Sequence, residues 1–433
     1  MILIRSAINA INAINAINVI NLYLIYLLNI YNMIIRNILI IIGLIIIIIC
    51  VYLIPFTNFT YFFNNKTKFW TRPKTCKYMM NATMINTLDN MNVKYTDNYK
   101  NADIIFPCGY NDINSEINGL PNIYKNYNKS KNVFIIEGAD ELTAKNNLWS
   151  NILKYHGYEK AKELSPNTYL LYDQNDLKRL TDEYINDKIY IMKKNIQRQE
   201  GLLITNDINK IKNSKDYVVA QELLQNPYLI NGFKINLRVY ILVMCYKNNT
   251  NIYVFNNGFM YYTKKPFVIN STDNDSNITT GYVDRKVYDE NPLTHDDFKY
   301  YLDLQEGEYY HKNNMRTLNS IEKKIKENGF LLSQVIFNNI MMLIRDVFMS
   351  YKGRICKETT KIYKDKSYQL FGADVAISDK LQAQIIEINK GPDLNAKDER
   401  DKNLKNKLSN DIFELIGLKE ISDNNGLINI LSF

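Results

Sequence analysis

The stretch Ala383-Gln384-Ile385-Ile386-Glu387-Ile388-Asn389 decides how this chain is read. Its alternation of apolar and polar residues predicts a β-strand. Side chains two apart on a strand share a face, so Glu387 and Asn389 point the same way, about 6 to 7 Å apart. A strand over Gln369–Ile377 precedes it and carries Asp374 beside Val375 and Ile377. If the two strands pair, three oxygen donors meet on one face. Oxygen donors without His or Cys suit Mg²⁺, which takes a few carboxylates and completes its shell with phosphate and water. The plainer alternative is two strand ends carrying solvated polar residues. That accounts for Asp374 but poorly for Glu387, which sits between Ile386 and Ile388.

Outward from these strands lies Lys234-Ile235-Asn236-Leu237-Arg238-Val239. Lys234, Asn236 and Arg238 share one strand face. Two cations at that spacing suit phosphate or carboxylate substrates, and a solvated strand face explains the pattern about as well. Lys193 ends a further expected strand, Lys188–Met192, where it could reach phosphates or serve as an ordinary surface lysine. Strands are also expected at Asp103–Pro107, Val133–Glu137, Gly201–Thr205, Asp216–Leu224, Asn236–Tyr246, Ile252–Phe255 and Phe259–Tyr262. The last two are separated by a turn at Asn256-Asn257-Gly258. Helices are expected near Ala139–Lys154, over most of Arg316–Tyr351 with a break at Asn328-Gly329, and over Leu404–Ile416.

The chain has 433 residues, 46% of them hydrophobic, enough to bury a substantial core. Glycine is scarce, at 16 residues, and no multi-glycine phosphate loop appears. Asn, Lys, Ile and Tyr are abundant even in expected loops, which fits AT-rich codon bias. The net charge of +8 is spread out. It favours acidic partners in general but does not point to nucleic acid, which needs a concentrated patch with reader residues. Cys50, Cys76, Cys108, Cys245 and Cys356 are odd in number and widely spaced. This spacing predicts reduced thiols on a cytosolic body and argues against a zinc site. The three His residues are isolated in sequence.

The N-terminal region differs from the rest. Ala7–Asn18 repeats Ala-Ile-Asn four times, a period that matches neither helix nor strand. Ile38–Ile54 is uncharged, and its seventeen residues span about 25 Å as a helix. With its apolar flanks it is expected to form a single-pass membrane anchor. Arg5 and Arg36 precede it, whereas Lys66, Lys68, Arg72, Lys74 and Lys77 follow, which places the body in the cytosol.

In order, Lys193, Val218-Val219-Ala220-Gln221, Asn226-Pro227-Tyr228-Leu229-Ile230 with Lys234–Arg238, Phe371-Gly372-Ala373-Asp374 and Glu387-Ile388-Asn389 resemble the tubulin–tyrosine ligase-like family. The resemblance covers about Leu148–Ile416 and includes Pro166-Asn167-Thr168-Tyr169-Leu170-Leu171. It implies an α/β ATP-grasp body. The expected layout is a low-complexity segment at 1–32, an anchor at 33–56, a stem at 57–75 and a small α/β lobe at 76–165. ATP-grasp subdomains at 166–232 and 233–418 and a tail at 419–433 complete it. Lys193 and Lys234 then resemble nucleotide-contacting lysines, Gln221 the adenine-edge residue, and Asn236 a nucleotide contact that is acidic elsewhere in the family. Arg238 resembles the arginine that orients a substrate carboxylate or acyl phosphate. Asp374, Glu387 and Asn389 resemble the Mg²⁺ ligands. Departures are Asn236, Tyr261 where an arginine is frequent, Ile278-Thr279-Thr280 for Leu-Thr-Asn, and a glycine loop reduced to Gly201 behind Glu200.

The function this implies is ATP- and Mg²⁺-dependent ligation of an amino acid (tyrosine, glutamate or glycine) to an acidic protein tail such as that of tubulin. Two alternatives stand beside it. One is a degenerate relative that binds nucleotide or microtubules without ligation. The other is a type II membrane glycosyltransferase, suggested by the anchor, the stem and Asp273-Asn274-Asp275, a motif equally readable as a solvated turn.

Overall fold

The structure, a computed structural model, describes residues 67–433 apart from 78, 110–112, 124–130, 186–187, 196–200, 248, 281–283, 358–361 and 363. The expected low-complexity segment, the anchor and the first part of the stem lie outside the described residues. Among those described, no single helix is long and apolar enough to cross a membrane.

In chain order the first strands are β1 (Phe69–Thr71), β2 (Lys94–Tyr95), β3 (Ile104–Ile105) and β4 (Asn132–Val133). Next come β5 (Thr168–Leu170), β6 (Tyr190–Lys193), β7 (Leu202–Thr205), β8 (Val219–Glu222) and β9 (Leu229–Ile230). Then follow β10 (Phe233–Tyr246), β11 (Asn249–Thr263), β12 (Thr279–Thr280), β13 (Tyr309–His311) and β14 (Asn314–Met315). The last are β15 (Lys366–Ile377), β16 (Ala383–Lys390) and β17 (Leu427–Ser432).

Two sheets frame the molecule. The larger runs β12-β11-β10-β15-β4-β3-β1-β2, with β16 on β15, β17 on β11 and β9 on β10. Its centre is antiparallel and long, while β15, β4, β3, β1 and β2 join in parallel. Residues 69–133 therefore extend the same sheet that carries the C-terminal strands and share its core. Helices Leu332–Met349 and Glu399–Leu415 bury apolar faces in that core. The smaller sheet, β5-β8-β6-β7, is antiparallel and has its own cores around Tyr169, Tyr190 and Met192 and around Ile191.

Three expectations are corrected. Asn256-Asn257-Gly258 is not a turn, because β11 runs unbroken through it. Asn257 is held by side-chain bonding to Asp296, and Gly258 packs where a Cβ would collide with the Arg238 carbonyl oxygen and the His295 ring. The turn-prone tripeptide falls instead at an irregularity within the strand, where the β10–β11 register shifts. Residues 427–432, read as tail, form β17, an edge strand on β11. The thiols expected to be free are instead paired: Cys76 bonds Cys108 and Cys245 bonds Cys356, with Cα atoms 5.1 and 5.7 Å apart. Sequence separations of 32 and 111 residues hid these pairs. The expected helical region does break near Gly329, where Ser320–Glu327 and Leu332–Met349 meet at 105°.

Candidate active site

The register of three strands builds the centre of the site. Arg238 on β10 lies directly opposite Asp374 on β15, and Asp374 lies opposite Glu387 on β16. A cation and two carboxylates thus stand side by side across the sheet. The β15–β16 register shifts between Asp374 and Val375, and such an irregularity re-aims side chains at a strand's functional end. Arg238 grips Asp374 through Nε at 2.6 Å and Nη2 at 3.2 Å. Asn389 donates to Glu387 Oε1 at 2.9 Å.

Lys193 enters from the smaller sheet. It donates to Gln221 Oε1 at 2.7 Å, and Gln221 Nε2 donates to Thr168 Oγ1 at 3.1 Å. Lys234 and Asn236 lie on the same β10 face as Arg238. Asn236 Nδ2 donates to Thr279 Oγ1 at 2.8 Å, while its buried Oδ1 has no partner among the described residues. All eight residues singled out from the sequence line one cavity of about 960 Å³. It runs between the two sheets from Ile191, Leu202 and Leu223 to the loop Gly391–Asn395.

The electrostatics follow from burial in this cleft. Burial pushes Lys193 down to about 8, against the pull of Glu387 and Asp374. Lys234 falls to about 8 through burial and the neighbouring Lys193 charge. Burial raises the Asp374 carboxyl, Arg238 opposes that rise, and the nearby Glu387 reinforces it. Burial also disfavours the Glu387 carboxylate, but Lys193, Lys145, Asn389 and Arg238 outweigh it and hold that group low. The two carboxyl groups lie within hydrogen-bonding reach of each other. Such a pair is relieved by a shared proton or by a cation.

Among the described residues, no cluster of three or more His, Cys, Asp or Glu is arranged to hold a metal. The donor set here is two carboxylates and an amide oxygen. It fits a hard divalent ion that keeps phosphate and water in its remaining positions.

A model of the tubulin-tyrosine ligase family matches residues 122–424, more than half of the chain. The chain belongs to the tubulin-tyrosine ligase family. Among its relatives is a mouse protein (Mus musculus), tubulin polyglutamylase TTLL5, 24% identical over 284 residues, covering 64% of this chain and 20% of that protein. A probable beta-tubulin polyglutamylase of Tetrahymena thermophila is 22% identical over 289 residues, covering 64% of this chain and 23% of its own. Mouse tubulin monoglutamylase TTLL4 is 23% identical over 289 residues, covering 65% and 23%. The chain thus spans about a fifth to a quarter of the length of these relatives.

Two further residues line this cavity. Lys145, which opens helix Lys145–His156, lines the cavity and helps hold Glu387 low. No local motif marks it, because only the tertiary fold brings it to the strands. Tyr261 lies opposite Asn236 on β11, with its ring 4.9 Å from the Arg238 guanidinium. Asp273-Asn274-Asp275 stands apart as the cap of a short surface helix, with both aspartates ion-paired to Lys265. Glu200 lies outside the described residues.

Proposed function

We propose that the protein is an ATP-dependent carboxylate–amine ligase that joins an amino acid to an acidic protein tail, with tubulin as the acceptor. The observation carrying this reading is the row Arg238–Asp374–Glu387 across three paired strands, in one cavity with Lys193 and Lys234. Family membership and relatives named as tubulin polyglutamylases support the tail and the amino acid as substrates.

The adenine would lie against Ile191, Leu202 and Leu223, with Gln221 at its edge. The unpartnered Oδ1 of Asn236 is an acceptor for a ribose hydroxyl. Lys193 and Lys234 would grip the phosphates, and a triphosphate placed between them favours their charged forms. Asp374, Glu387 and Asn389 would hold Mg²⁺, which when bound neutralises phosphate charge.

In the reaction, an oxygen of the tail carboxylate attacks the γ-phosphorus. The bond from that phosphorus to the bridging oxygen breaks, and ADP leaves. The resulting acyl phosphate is attacked at carbon by the amine, forming the C–N bond. Phosphate departs, and the surplus amine proton passes to water. Arg238, fixed by Asp374 through Nε and Nη2, is placed to hold a substrate carboxylate with its remaining N–H.

This reading includes a tether through residues 33–56, supported by the uncharged stretch; its flanking Lys and Arg favour a cytosolic body, whereas the two disulfides favour an oxidising side. Protease accessibility of the body in sealed vesicles checks that part. The ligase itself is tested by incubating the full chain with Mg·ATP, tubulin and each amino acid. Tubulin is expected to gain one or more residue masses, with one ADP formed per residue added. Asn236 and Tyr261 favour a second reading, nucleotide binding without ligation. Tight Mg·ATP binding with no mass gain across all amino acids would select it.

A further inference from the structure

The cavity extends well past its charged centre. Leu370 precedes Asp374 by four positions on the same face of β15, about 14 Å along the strand, and both line the cavity. The wall at this far end is apolar, formed by Met80, Met84, Ile85, Phe106, Phe134 and Leu394. These residues come from separate stretches that are tied together. Thr83 Oγ1 donates to the Leu394 carbonyl at 2.8 Å, Asn81 Nδ2 donates to Asn395 Oδ1 at 3.0 Å, and the Cys76–Cys108 bond clasps the segment.

A second observation lies at the boundary between the charged centre and this apolar end. Asp374 occupies Nε and Nη2 of Arg238, and Nη1 has no hydrogen-bond partner among the described residues. Nη1 lies over Gly372, where a Cβ would come within 3.0 Å of it and 3.1 Å of the Pro392 ring. Gly372 lies between Leu370 and Asp374 on the same face of β15, so the free N–H faces the far end. In a ligation the amine substrate keeps its own carboxylate, and a guanidinium N–H is a matched donor for it. With that carboxylate on Arg238, the substrate's side chain projects onto the methionine-lined wall. The charged groups nearby do not offer a glutamate a partner. Lys390 is paired with Asp140, Arg72 is engaged in a contact of its own, and Asp393 would repel a carboxylate.

We propose that this far end is the side-chain pocket for the incoming amino acid, and that it selects apolar side chains over glutamate and glycine. The proposal rests on the ligase reading for its substrate. Methionines adapt to several shapes, so the pocket defines a class of side chain (leucine, methionine, phenylalanine, tyrosine) rather than one member.

The test is equilibrium dialysis of labelled leucine, methionine, phenylalanine, tyrosine, glycine and glutamate against the full chain, with and without Mg·ATP. At least one apolar amino acid is expected to bind about tenfold more tightly than glutamate, the margin that burying one such side chain supplies. Met80→Lys, at a half-buried position, should narrow or reverse that ratio, and Met80→Leu should keep it. Glutamate or glycine binding as tightly as the best apolar amino acid overturns the proposal, as does no binding by any of them. Mg·ATP binding is read in the same samples. Its absence removes the ligase reading even where the apolar preference stands.

Discussion

Lys193 and Lys234 make nucleotide capture sensitive to pH in a defined direction. Burial lowers both to about 8. Below that pH the free protein presents two cations to a triphosphate. Above it they are neutral, and binding must take up protons. Mg·ATP affinity is therefore expected to fall by about tenfold per lysine between pH 7 and 9, with proton uptake visible as buffer-dependent calorimetric heats. A flat profile over that range would contradict the charged-pair account. Lys234, Asn236, Arg238, Asp374, Glu387 and Asn389 were legible in the sequence because strand alternation fixes which side chains share a face, whereas Lys193, alone an ordinary surface lysine, was singled out only by the family resemblance. Lys145 and the apolar far wall were not, because they reach the cavity only through tertiary packing of residues distant in sequence.

Among elements, β10, β11 and β15 set the precision of the site. Gly258 on β11 sits where a Cβ would meet the Arg238 carbonyl oxygen, a backbone atom that cannot swing aside, and the buried His295 ring. Gly258→Ala is expected to cost about 1 to 3 kcal/mol of stability. Arg238 should be displaced as well, so activity should fall further than the stability loss explains. Urea unfolding and turnover of the same variant check this, and an unchanged midpoint and rate would refute it. Local pattern placed most strands within a few residues, yet it split β11 at Asn256-Asn257-Gly258. The tripeptide is absorbed as an irregularity of the β10–β11 ladder, whose register shifts between Val239 and Ile241 and resumes with Gly258 opposite Val239. Strand β17 was missed for a related reason. Its short, half-exposed sequence becomes a strand only because β11 offers it an edge.

At the scale of the whole molecule, two disulfides close loops of 32 and 111 residues around the large sheet. Thiol titration of the denatured, unreduced chain should find no more than one free thiol among its five cysteines, because four are paired. Cys76→Ser should destabilise the body by about 3.7 kcal/mol in the chain-entropy account of a 32-residue loop. Five free thiols would instead restore the reduced, cytosolic chemistry that the cysteine spacing suggests. Asp374, Glu387 and Asn389 are proposed to hold a divalent cation beside ATP in the cleft between the two sheets. The most direct measurement is equilibrium binding of ATP with and without Mg²⁺, compared between the full chain and Glu387→Gln, with circular dichroism confirming that both are folded. Mg²⁺-dependent ATP binding is expected in the natural chain, and its loss in Glu387→Gln. Equal Mg²⁺ dependence in the two folded proteins would contradict it.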